Sequence, residues 1–248
     1  MKKVFFKNFK KQKICGILDE PNAKRDKIII IIHGFSSTKD TGAKYVAEEL
    51  SKRKINSIRI DLDNRGESEP KFGKTTISNY VKTVNSTIGY VKKLGYKNIS
   101  LLGTSLGGLI AAATALRYRN IKKLALRAPV ADYYELLLKR FNKDEVTKFK
   151  KQGFYYYIRP DEEKLKIVYD FIEDSKKYSM YKKVKDIKCP VLIIHGTKDE
   201  IVPYKTSQKL VKKFTNARLV LIKNADHNLS IHGNLSQGLK IIGDWFEK

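Results

Sequence analysis

Ser105 is the residue in this chain whose surroundings best suit nucleophilic chemistry. It lies in the sequence GTSLG at residues 103–107, which matches the pattern G-x-S-x-G. An apolar run precedes the pattern, and an Ala-rich stretch with helical spacing follows it. A strand that turns into a helix at Ser105 forces this residue into a strained conformation, and larger side chains two positions away would collide. The hydroxyl would then lie at a helix N-terminus, where backbone N–H groups favour developing negative charge.

A nucleophilic serine needs a base that accepts its proton, and the chain has four histidines. His33 and His195 each follow an apolar run and precede a glycine, so we expect both to serve the placement of the backbone. His227 follows the last predicted strand, from where it could reach over a sheet to the serine. His232 follows shortly after, and we expect it at the surface. We therefore predict His227 as the base, with His232 as the alternative.

The base in turn needs an acid that orients its ring, and the sequence offers two candidates. Asp199 follows the apolar run of residues 191–194, at the end of a predicted strand. Asp226 directly precedes His227, but adjacent side chains in an extended turn tend to point apart. We therefore predict Asp199 as the orienting acid. We expect Asp226 to brace its own loop by accepting backbone N–H groups.

The elements that must position these residues alternate between strands and helices. Apolar runs predict strands over residues 4–9, 14–18, 28–32, 55–60, 99–102, 121–127, 191–194 and 218–222. Helical spacing after Ser105 continues to residue 118, and further helices are predicted over residues 42–54, 77–94, 204–214 and 237–246. We expect the first two strands to form a hairpin. The alternation predicts an α/β fold with a mostly parallel eight-stranded sheet flanked by helices.

The alternation stops after the sixth strand, and we call residues 130–185 the insertion. It is charged, and it holds nearly half of the aromatic residues of the chain. We predict that the insertion is a helical cap, or lid, over the carboxyl edge of the sheet. Residues 1–129 and 186–248 then form the core domain.

Aromatic side chains of the insertion are our candidates for contact with a substrate. They are densest in the sequence FYYY, within residues 152–158, where we expect a loop or a short strand. Tyr133, Tyr155 and Tyr156 are the predicted substrate-binding residues, since tyrosine offers an apolar ring and a hydroxyl donor. The alternative is that these rings only pack the insertion onto the core.

Length and charge limit the class of protein. With 248 residues, of which 42% are hydrophobic, the chain can bury one large core. The formal net charge is +25, but the basic residues are mostly lysines, spread without a dense block. Nucleic-acid sites depend strongly on arginine for bidentate contacts. We therefore expect no specific nucleic-acid binding.

The cysteines and the apolar segments suggest neither a metalloprotein nor a secreted or membrane protein. Cys15 and Cys189 lack metal-ligand spacing, and we expect reduced, buried thiols in separate strands. Lysines interrupt the apolar N-terminal residues, which argues against a signal peptide, and no segment has the roughly 20 apolar residues that cross a bilayer. We expect a cytoplasmic protein with no membrane span and no metal or organic cofactor. The sequence leaves a homodimer open.

Taken together, these motifs resemble the α/β-hydrolases over nearly the whole chain, and the order Ser, Asp, His is also that of this superfamily. Within it, the chain most resembles the bacterial cinnamoyl/feruloyl-type esterases and their serine-aminopeptidase-like and monoacylglycerol-lipase-like relatives. The matching segments are HGFS at 33–36, DLDNRGES at 61–68, GTSLGG at 103–108, HGTKD at 195–199 with Val202 and Pro203, and ADH at 225–227.

This resemblance implies a serine hydrolase that cleaves small-molecule carboxylic esters through an acyl-enzyme. Ser105 would be the nucleophile, His227 the base and Asp199 the acid that orients it. The backbone N–H groups of Phe35 and Leu106 would form the oxyanion hole. The alternatives are an acyl-peptidase or a thioesterase on the same scaffold, and a ligand-binding relative without catalysis.

Residues 61–68 depart from the family pattern at two positions. Family members often show Asp-x-x-Gly-His-Gly-x-Ser, whereas Asn64 and Arg65 replace the first Gly and the His here. Asparagine tolerates the left-handed conformation better than other non-glycine residues, so we expect the turn to survive. The effect of Arg65 on substrate choice stays open at this point.

Overall fold

The protein is built around the sheet that the apolar runs predict. The structure, a computed structural model, describes residues 1–70, 75–139, 141–158, 164–230 and 233–248. In these residues the strands are β1 (Lys2–Lys7), β2 (Lys13–Asp19), β3 (Lys27–Ile32), β4 (Ser57–Ile60), β5 (Asn98–Thr104), β6 (Ile121–Arg127), β7 (Phe154–Ile158), β8 (Lys164–Val168), β9 (Val191–Gly196) and β10 (Ala217–Ile222). The helices are α1 (Gly42–Lys52), α2 (Ile77–Lys93), α3 (Leu106–Arg117), α4 (Tyr133–Leu138), α5 (Lys143–Gln152), α6 (Tyr169–Ser175), α7 (Met180–Lys183), α8 (Lys205–Val211) and α9 (Asn234–Glu247), with a 3-10 turn at Val184–Asp186.

The main sheet has eight strands in the described part of the chain, in the order β1-β2-β4-β3-β5-β6-β9-β10. β2 pairs antiparallel with β1 and with β4. The remaining neighbours along this order pair in parallel. The predicted α/β fold, with a mostly parallel sheet and an N-terminal hairpin, is confirmed.

β3 and β5 lie side by side at the centre of the sheet, and their carboxyl ends carry the chemistry. The isoleucines of β3 are at most 3% exposed. They alternate between a core shared with α2 and α3 and a core shared with α1 and α9. Burial of each such side chain contributes roughly 1.5–3 kcal/mol. Because Ile32 pairs with Gly103, the residues that follow these strands, His33 and Ser105, meet at one edge of the sheet.

The insertion lies between β6 and β9 and contains both helices and strands. β7 and β8 pair antiparallel in a separate two-stranded sheet. β7 corresponds to the predicted short strand. β8 was not predicted, because its sequence KLKIV buries only Ile167 and so lacks the apolar run of a core strand.

Polar and aromatic contacts hold the insertion on α2. The carboxylate of Asp174 in α6 accepts hydrogen bonds from the backbone N–H and the hydroxyl of Ser78, both at 2.7 Å. The ring of Phe171 packs edge-on against Tyr80, with centroids 6.1 Å apart. The insertion is therefore fixed to the core at α6, next to the carboxyl edge of the sheet.

A few local predictions differ from the structure. β1 ends at Lys7, two residues early, because the side chain of Asn8 accepts hydrogen bonds from the N–H groups of the turn that follows. Cys15 lies in β2 as expected, but Cys189 precedes β9 and is partly exposed, so its prediction as a buried strand residue is wrong. Both thiols are free, and burial raises the pKa of each to about 11. None of the described helices combines the length and the apolar character needed to span a bilayer.

Candidate active site

Ser105 occupies the sharp turn between β5 and α3. Its backbone dihedrals are φ 55° and ψ −120°, a conformation that costs a non-glycine residue roughly 1–3 kcal/mol. The neighbouring strand holds it there: the N–H of Ser105 donates to the carbonyl of Arg127 at 2.9 Å, and its carbonyl accepts from the N–H of Val130 at 3.1 Å. The predicted strained turn at the serine is therefore present in the structure.

The glycines on either side of Ser105 permit the close approach of helix and strand. A Cβ atom on Gly103 would overlap the carbonyl of Gly107, and a Cβ atom on Gly107 would overlap the carbonyls that end β3. Any larger residue at either position would push α3 away from the sheet. Their spacing around the serine thus has the steric cause that the sequence indicates.

The imidazole of His227 and the carboxylate of Asp199 form a hydrogen-bonded pair. His227 Nδ1 lies 2.7 Å from Asp199 Oδ2. Since a carboxylate can only accept, Nδ1 carries the proton, and Nε2 is left with its lone pair. His227 and Ser105 line the same cavity. The structure therefore places the predicted base and acid in contact, and it places the base and the nucleophile at one cavity.

Asp199 is buried and receives several donors. Its Oδ1 accepts the backbone N–H groups of Ile201 and Val202 at 2.9 and 2.8 Å. Burial by itself raises the pKa of this carboxyl, but hydrogen bonds from His195 and His227 outweigh it and hold the pKa well below its usual range. Asp199 is therefore ionised at neutral pH and can favour a positively charged imidazole.

His195 is a residue of the site that sequence reasoning missed. Its Nε2 faces two acceptors, Asp199 Oδ2 at 2.9 Å and the carbonyl of Val202 at 2.8 Å, and Nδ1 lies 2.7 Å from Ser207 Oγ. The expectation that His195 serves only backbone placement is therefore wrong. The sequence signal that could have revealed its role is the spacing of four residues between His195 and Asp199 in HGTKD, because a turn can bring these two side chains together.

The turn after β3 lies against the nucleophile. His33 Nε2 accepts the N–H of Leu62 at 3.1 Å, so Nδ1 carries the proton and donates to the carbonyl of Gly34 at 2.7 Å. The carbonyl of Gly34 and the N–H of Phe35 belong to the same planar peptide unit. The hydrogen bond to the carbonyl therefore also fixes the direction of the N–H. Phe35 and Leu106 both line the cavity beside Ser105, in the region where the predicted oxyanion hole would lie.

Arg65, whose role the sequence left open, contacts the same turn. Its Nε donates to the carbonyl of Phe35 at 3.0 Å, and its guanidinium lies 5.5 Å from the centre of the Phe35 ring. Asn64 has φ 59°, as expected for a residue that replaces glycine in a left-handed turn. Arg65 therefore holds the turn from the side of β4 and is not among the side chains that line the cavity.

The cavity at Ser105 has a volume of about 710 Å³ and two different walls. Toward the insertion its wall is apolar and aromatic, with Val130, Tyr133, Leu136 and Tyr157. Toward α1 and the loop of His227 its wall is more polar, with the side chains of Ser36, Ser37, Thr41, Arg127, Asn228 and Ser230 beside those of Tyr45, Ile201 and Leu235. A bound molecule would thus meet an apolar surface on one side of the serine and a polar surface on the other.

The predicted substrate-binding tyrosines divide into one that lines this cavity and two that do not. Tyr133 does so. Tyr155 packs against Phe149 within the insertion, with ring centroids 5.7 Å apart, and Tyr156 is 45% exposed on the opposite face of β7. The structure therefore does not bring Tyr155 and Tyr156 to the cavity. Tyr157 lines the cavity instead, and its ring packs against Phe35 of the turn after β3.

The rival acid occupies another place. The carboxylate of Asp226 accepts the backbone N–H of Ser230 at 2.6 Å and also bonds its hydroxyl, which is the loop brace expected for it. His232 lies outside the described residues. Among the described residues, no cluster of three or more His, Cys, Asp or Glu side chains has an arrangement that would hold a metal ion.

Comparison of the sequence with known proteins points to one superfamily. A family model described as "Serine aminopeptidase, S33" matches residues 23–178, and one described as "alpha/beta hydrolase fold" matches residues 132–233. The chain is 27% identical to mitochondrial palmitoyl-protein thioesterase ABHD10 of Bos taurus, over 89% of this chain and 73% of that protein. It is 23% identical to the serine hydrolase BPHL of Homo sapiens, over 83% of this chain and 75% of that protein.

Several solved structures have the same fold. Est1E from Butyrivibrio proteoclasticus with bound ferulic acid superimposes with a TM-score of 0.87 at 24% identity, covering 98% of this chain and 97% of that one. Mouse ABHD10 gives a TM-score of 0.82 at 20% identity, covering 100% and 99%. The first family model spans more than half of the chain. The chain therefore belongs to the serine aminopeptidase S33 family of α/β-hydrolases, and it is a hydrolase.

Proposed function

We propose that this hydrolase cleaves carboxylic esters with Ser105 as nucleophile, His227 as base and Asp199 as the acid that orients the base. The observation that carries the proposal is the pair formed by His227 and Asp199 at 2.7 Å, on the cavity that also exposes the strained serine. Each part is needed for acyl transfer: a hydroxyl held out of the sheet, a lone pair to take its proton, and a carboxylate to hold the resulting imidazolium.

The first half of the reaction forms an acyl-enzyme. Ser105 Oγ attacks the ester carbonyl while His227 Nε2 takes the hydroxyl proton. The negative charge on the carbonyl oxygen is stabilised by the N–H groups of Phe35 and Leu106, and loss of one such donor costs ~3 kcal/mol of barrier. His227 then gives the proton to the departing alcohol oxygen as its bond to the acyl carbon breaks.

The second half regenerates the serine. Water attacks the acyl carbon and gives a proton to His227, which passes it to Ser105 Oγ as the carboxylic acid leaves. Asp199 stays ionised throughout, since its pKa lies well below neutral. His195 would keep its carboxylate aligned, because it donates to the same oxygen as His227.

A thioester is the second candidate substrate, because the relative ABHD10 is named a palmitoyl-protein thioesterase. The same groups would act, with a thiol as the leaving group. The apolar wall at Tyr133 and Tyr157 suits an acyl group with an aromatic or alkyl body, and the ferulic acid bound to Est1E is of this kind. Octanoate and hydroxycinnamate oxygen esters, compared with the matching thioesters and aminoacyl amides, would separate the candidates by their kcat/KM.

Labelling of the nucleophile tests the proposal directly. A fluorophosphonate probe followed by mass mapping should modify Ser105, and Ser105→Ala should lose both labelling and at least ~10³-fold of ester hydrolysis. Ser86→Ala, on α2 away from the cavity, is the matched control and should label like the parent protein. Turnover within tenfold of the parent in well-folded Ser105→Ala would overturn the proposal.

A further inference from the structure

Arg127 is a buried cation beside the nucleophile that the proposed reaction does not use. It ends β6, and its backbone carbonyl accepts the N–H of Ser105. The residue is 5% exposed. Its side chain nevertheless lines the cavity, on the polar wall. An arginine is rarely buried to this degree without a partner, because desolvation of its charge is costly.

Within the described residues, no carboxylate forms a direct ion pair with this charge. Arg127 Nε has no hydrogen-bond partner there. The described side chains that line the cavity include no Asp or Glu. Burial lowers the pKa of Arg127 to about 10, and the opposing influence of Asp226 is smaller. The carboxylate of Asp226 is itself bonded to Ser230. The guanidinium is therefore charged at neutral pH and open to an anion from the cavity.

The surroundings of the guanidinium favour an anion as well. A Cβ atom on Gly42 would lie 3.2 Å from Arg127 Nη2, so the guanidinium reaches the first turn of α1. The positive end of that helix dipole points to the same place. Ser36 also lines the cavity, and its hydroxyl can donate a further hydrogen bond. The hydroxyl of Thr41 already donates to the carbonyl of Thr38 at 2.8 Å. A positive charge, a helix N-terminus and a hydroxyl donor thus lie at the polar wall of the cavity.

We infer that the polar wall is an anion subsite, in which Arg127 binds a carboxylate or a phosphate group carried by the substrate. This inference rests on the proposed function, because it names the class of ester that the same site prefers. The substrate would be amphiphilic: its apolar part lies along Tyr133 and Tyr157, the scissile carbonyl lies at Ser105, and its anionic part reaches Arg127. A planar guanidinium binds either anion in a bidentate manner.

Matched esters measure the contribution of the subsite. The leaving-group arm compares octanoate esters of glycerol, of glyceric acid and of glycerol 3-phosphate, which differ in the charge and the kind of anion. The acyl arm compares ethyl octanoate with the monoethyl ester of octanedioic acid. In the arm whose anion reaches Arg127, the ratio of kcat/KM for the anionic ester to that for the neutral ester should be roughly 10- to 100-fold lower in Arg127→Met than in the parent protein. Arg127→Lys should keep part of the preference, since it keeps the charge and loses the fork.

Lys44→Gln is the control, because it removes one exposed cation from α1 near the same wall. It should leave the ratio unchanged. Equal losses in Lys44→Gln and Arg127→Met would assign the preference to the general field of a chain with net charge +25 and overturn the subsite. A ratio that Arg127→Met leaves unchanged in both arms would overturn it too.

Binding of inorganic phosphate gives a second readout that does not depend on folding of the Arg127 variants, and its calorimetric part does not depend on turnover. At constant ionic strength, phosphate should inhibit hydrolysis of the neutral ester competitively, and calorimetry should detect its binding to Ser105→Ala. If the protein cleaved neither oxygen esters nor thioesters, the proposed function would fail, and phosphate binding would still decide the subsite. If phosphate neither competed with the neutral ester nor bound to Ser105→Ala, the anion subsite would be overturned. Ester hydrolysis by the same protein would still support the proposed function.

Discussion

Asp199 joins more parts of the site than any other side chain described above. One of its carboxylate oxygens accepts from His195 and His227, and the other accepts two backbone N–H groups. This arrangement fixes the carboxylate before a substrate arrives, so that the proton on His227 stays on Nδ1. Asp226 lies next to His227 in sequence, but it bonds Ser230 instead.

Substitution of these two acids should therefore have different consequences. We expect Asp199→Asn to lower kcat by roughly 10²- to 10⁴-fold, because an amide N–H at this position favours the wrong imidazole tautomer. Asp226→Asn should lower the melting temperature and leave kcat within about tenfold, since it loosens the loop brace. Steady-state kinetics and thermal unfolding of both variants provide the measurement. The reverse ranking of kcat would exchange their roles.

His33 should make stability depend on pH. Burial lowers the pKa of His33 to about 4, so between pH 6.5 and 4 the unfolded chain binds a proton that the folded protein does not. The free energy of unfolding then falls as the pH falls, by about 3 kcal/mol over this range. Asp63 has the opposite effect on the free energy of unfolding. Burial raises its pKa to about 6, so as the pH falls the folded protein binds this proton before the unfolded chain does, and the folded state is stabilised.

The difference between the parent and His33→Gln isolates the contribution of the histidine. Urea unfolding at several pH values from 7 to 4 should show that the parent loses about 3 kcal/mol more than the variant. Asp63 is present in both proteins, so its contribution cancels. Parallel stability curves would show that His33 does not stay neutral in the folded state.

At the scale of elements, β7 decides which rings of the insertion reach the cavity. Tyr157 lines the cavity and packs edge-on against Phe35, with centroids 5.6 Å apart. Its neighbour Tyr156 faces outward and pairs with Phe154, with centroids 5.4 Å apart. The same residue type at adjacent positions thus has two environments, which makes these tyrosines a matched pair.

Tyr157→Ala should change substrate choice, and Tyr156→Ala should not. We expect Tyr157→Ala to lower the ratio of kcat/KM for a hydroxycinnamate ester to that for an acetate ester by about tenfold, since a ring contact contributes roughly 0.5–1.5 kcal/mol beyond its burial. The acetate is too small to reach this wall and serves as the internal reference. Equal ratios in the two variants would mean that the core loops alone shape the apolar wall.

At the scale of the whole molecule, the net charge of +25 is carried mainly by exposed lysines along the chain. We predict that duplex DNA binds weakly and without sequence preference, through release of counterions. Fluorescence anisotropy with two unrelated duplexes should give similar Kd values that weaken by about a hundredfold or more between 50 and 200 mM salt. A sequence-selective complex that resists salt would contradict this prediction.

The sequence by itself determined the strands of the main sheet, the helices that flank it and the turn at Ser105, because these depend on neighbours along the chain. The isoleucine run of β3 is typical of a strand buried on both faces of a parallel sheet, and the glycines around Ser105 permit a close crossing of helix and strand. The pairing of Asp199 with His227 also followed from chain order once the resemblance was recognised. The strands, the helices and the turn require no knowledge of which distant side chains meet.

The tertiary structure decided the contacts between side chains that lie far apart in sequence. The ring of His195 meets the hydroxyl of Ser207 because α8 packs beside β9. Arg65 holds Phe35 because the loop after β4 crosses the turn after β3. Arg127 reaches the cavity because the end of β6 faces the first turn of α1. Residue type and hydrophobic periodicity cannot distinguish these residues from ordinary buried or exposed ones. Their chemistry depends on the partner side chains that the fold brings to them.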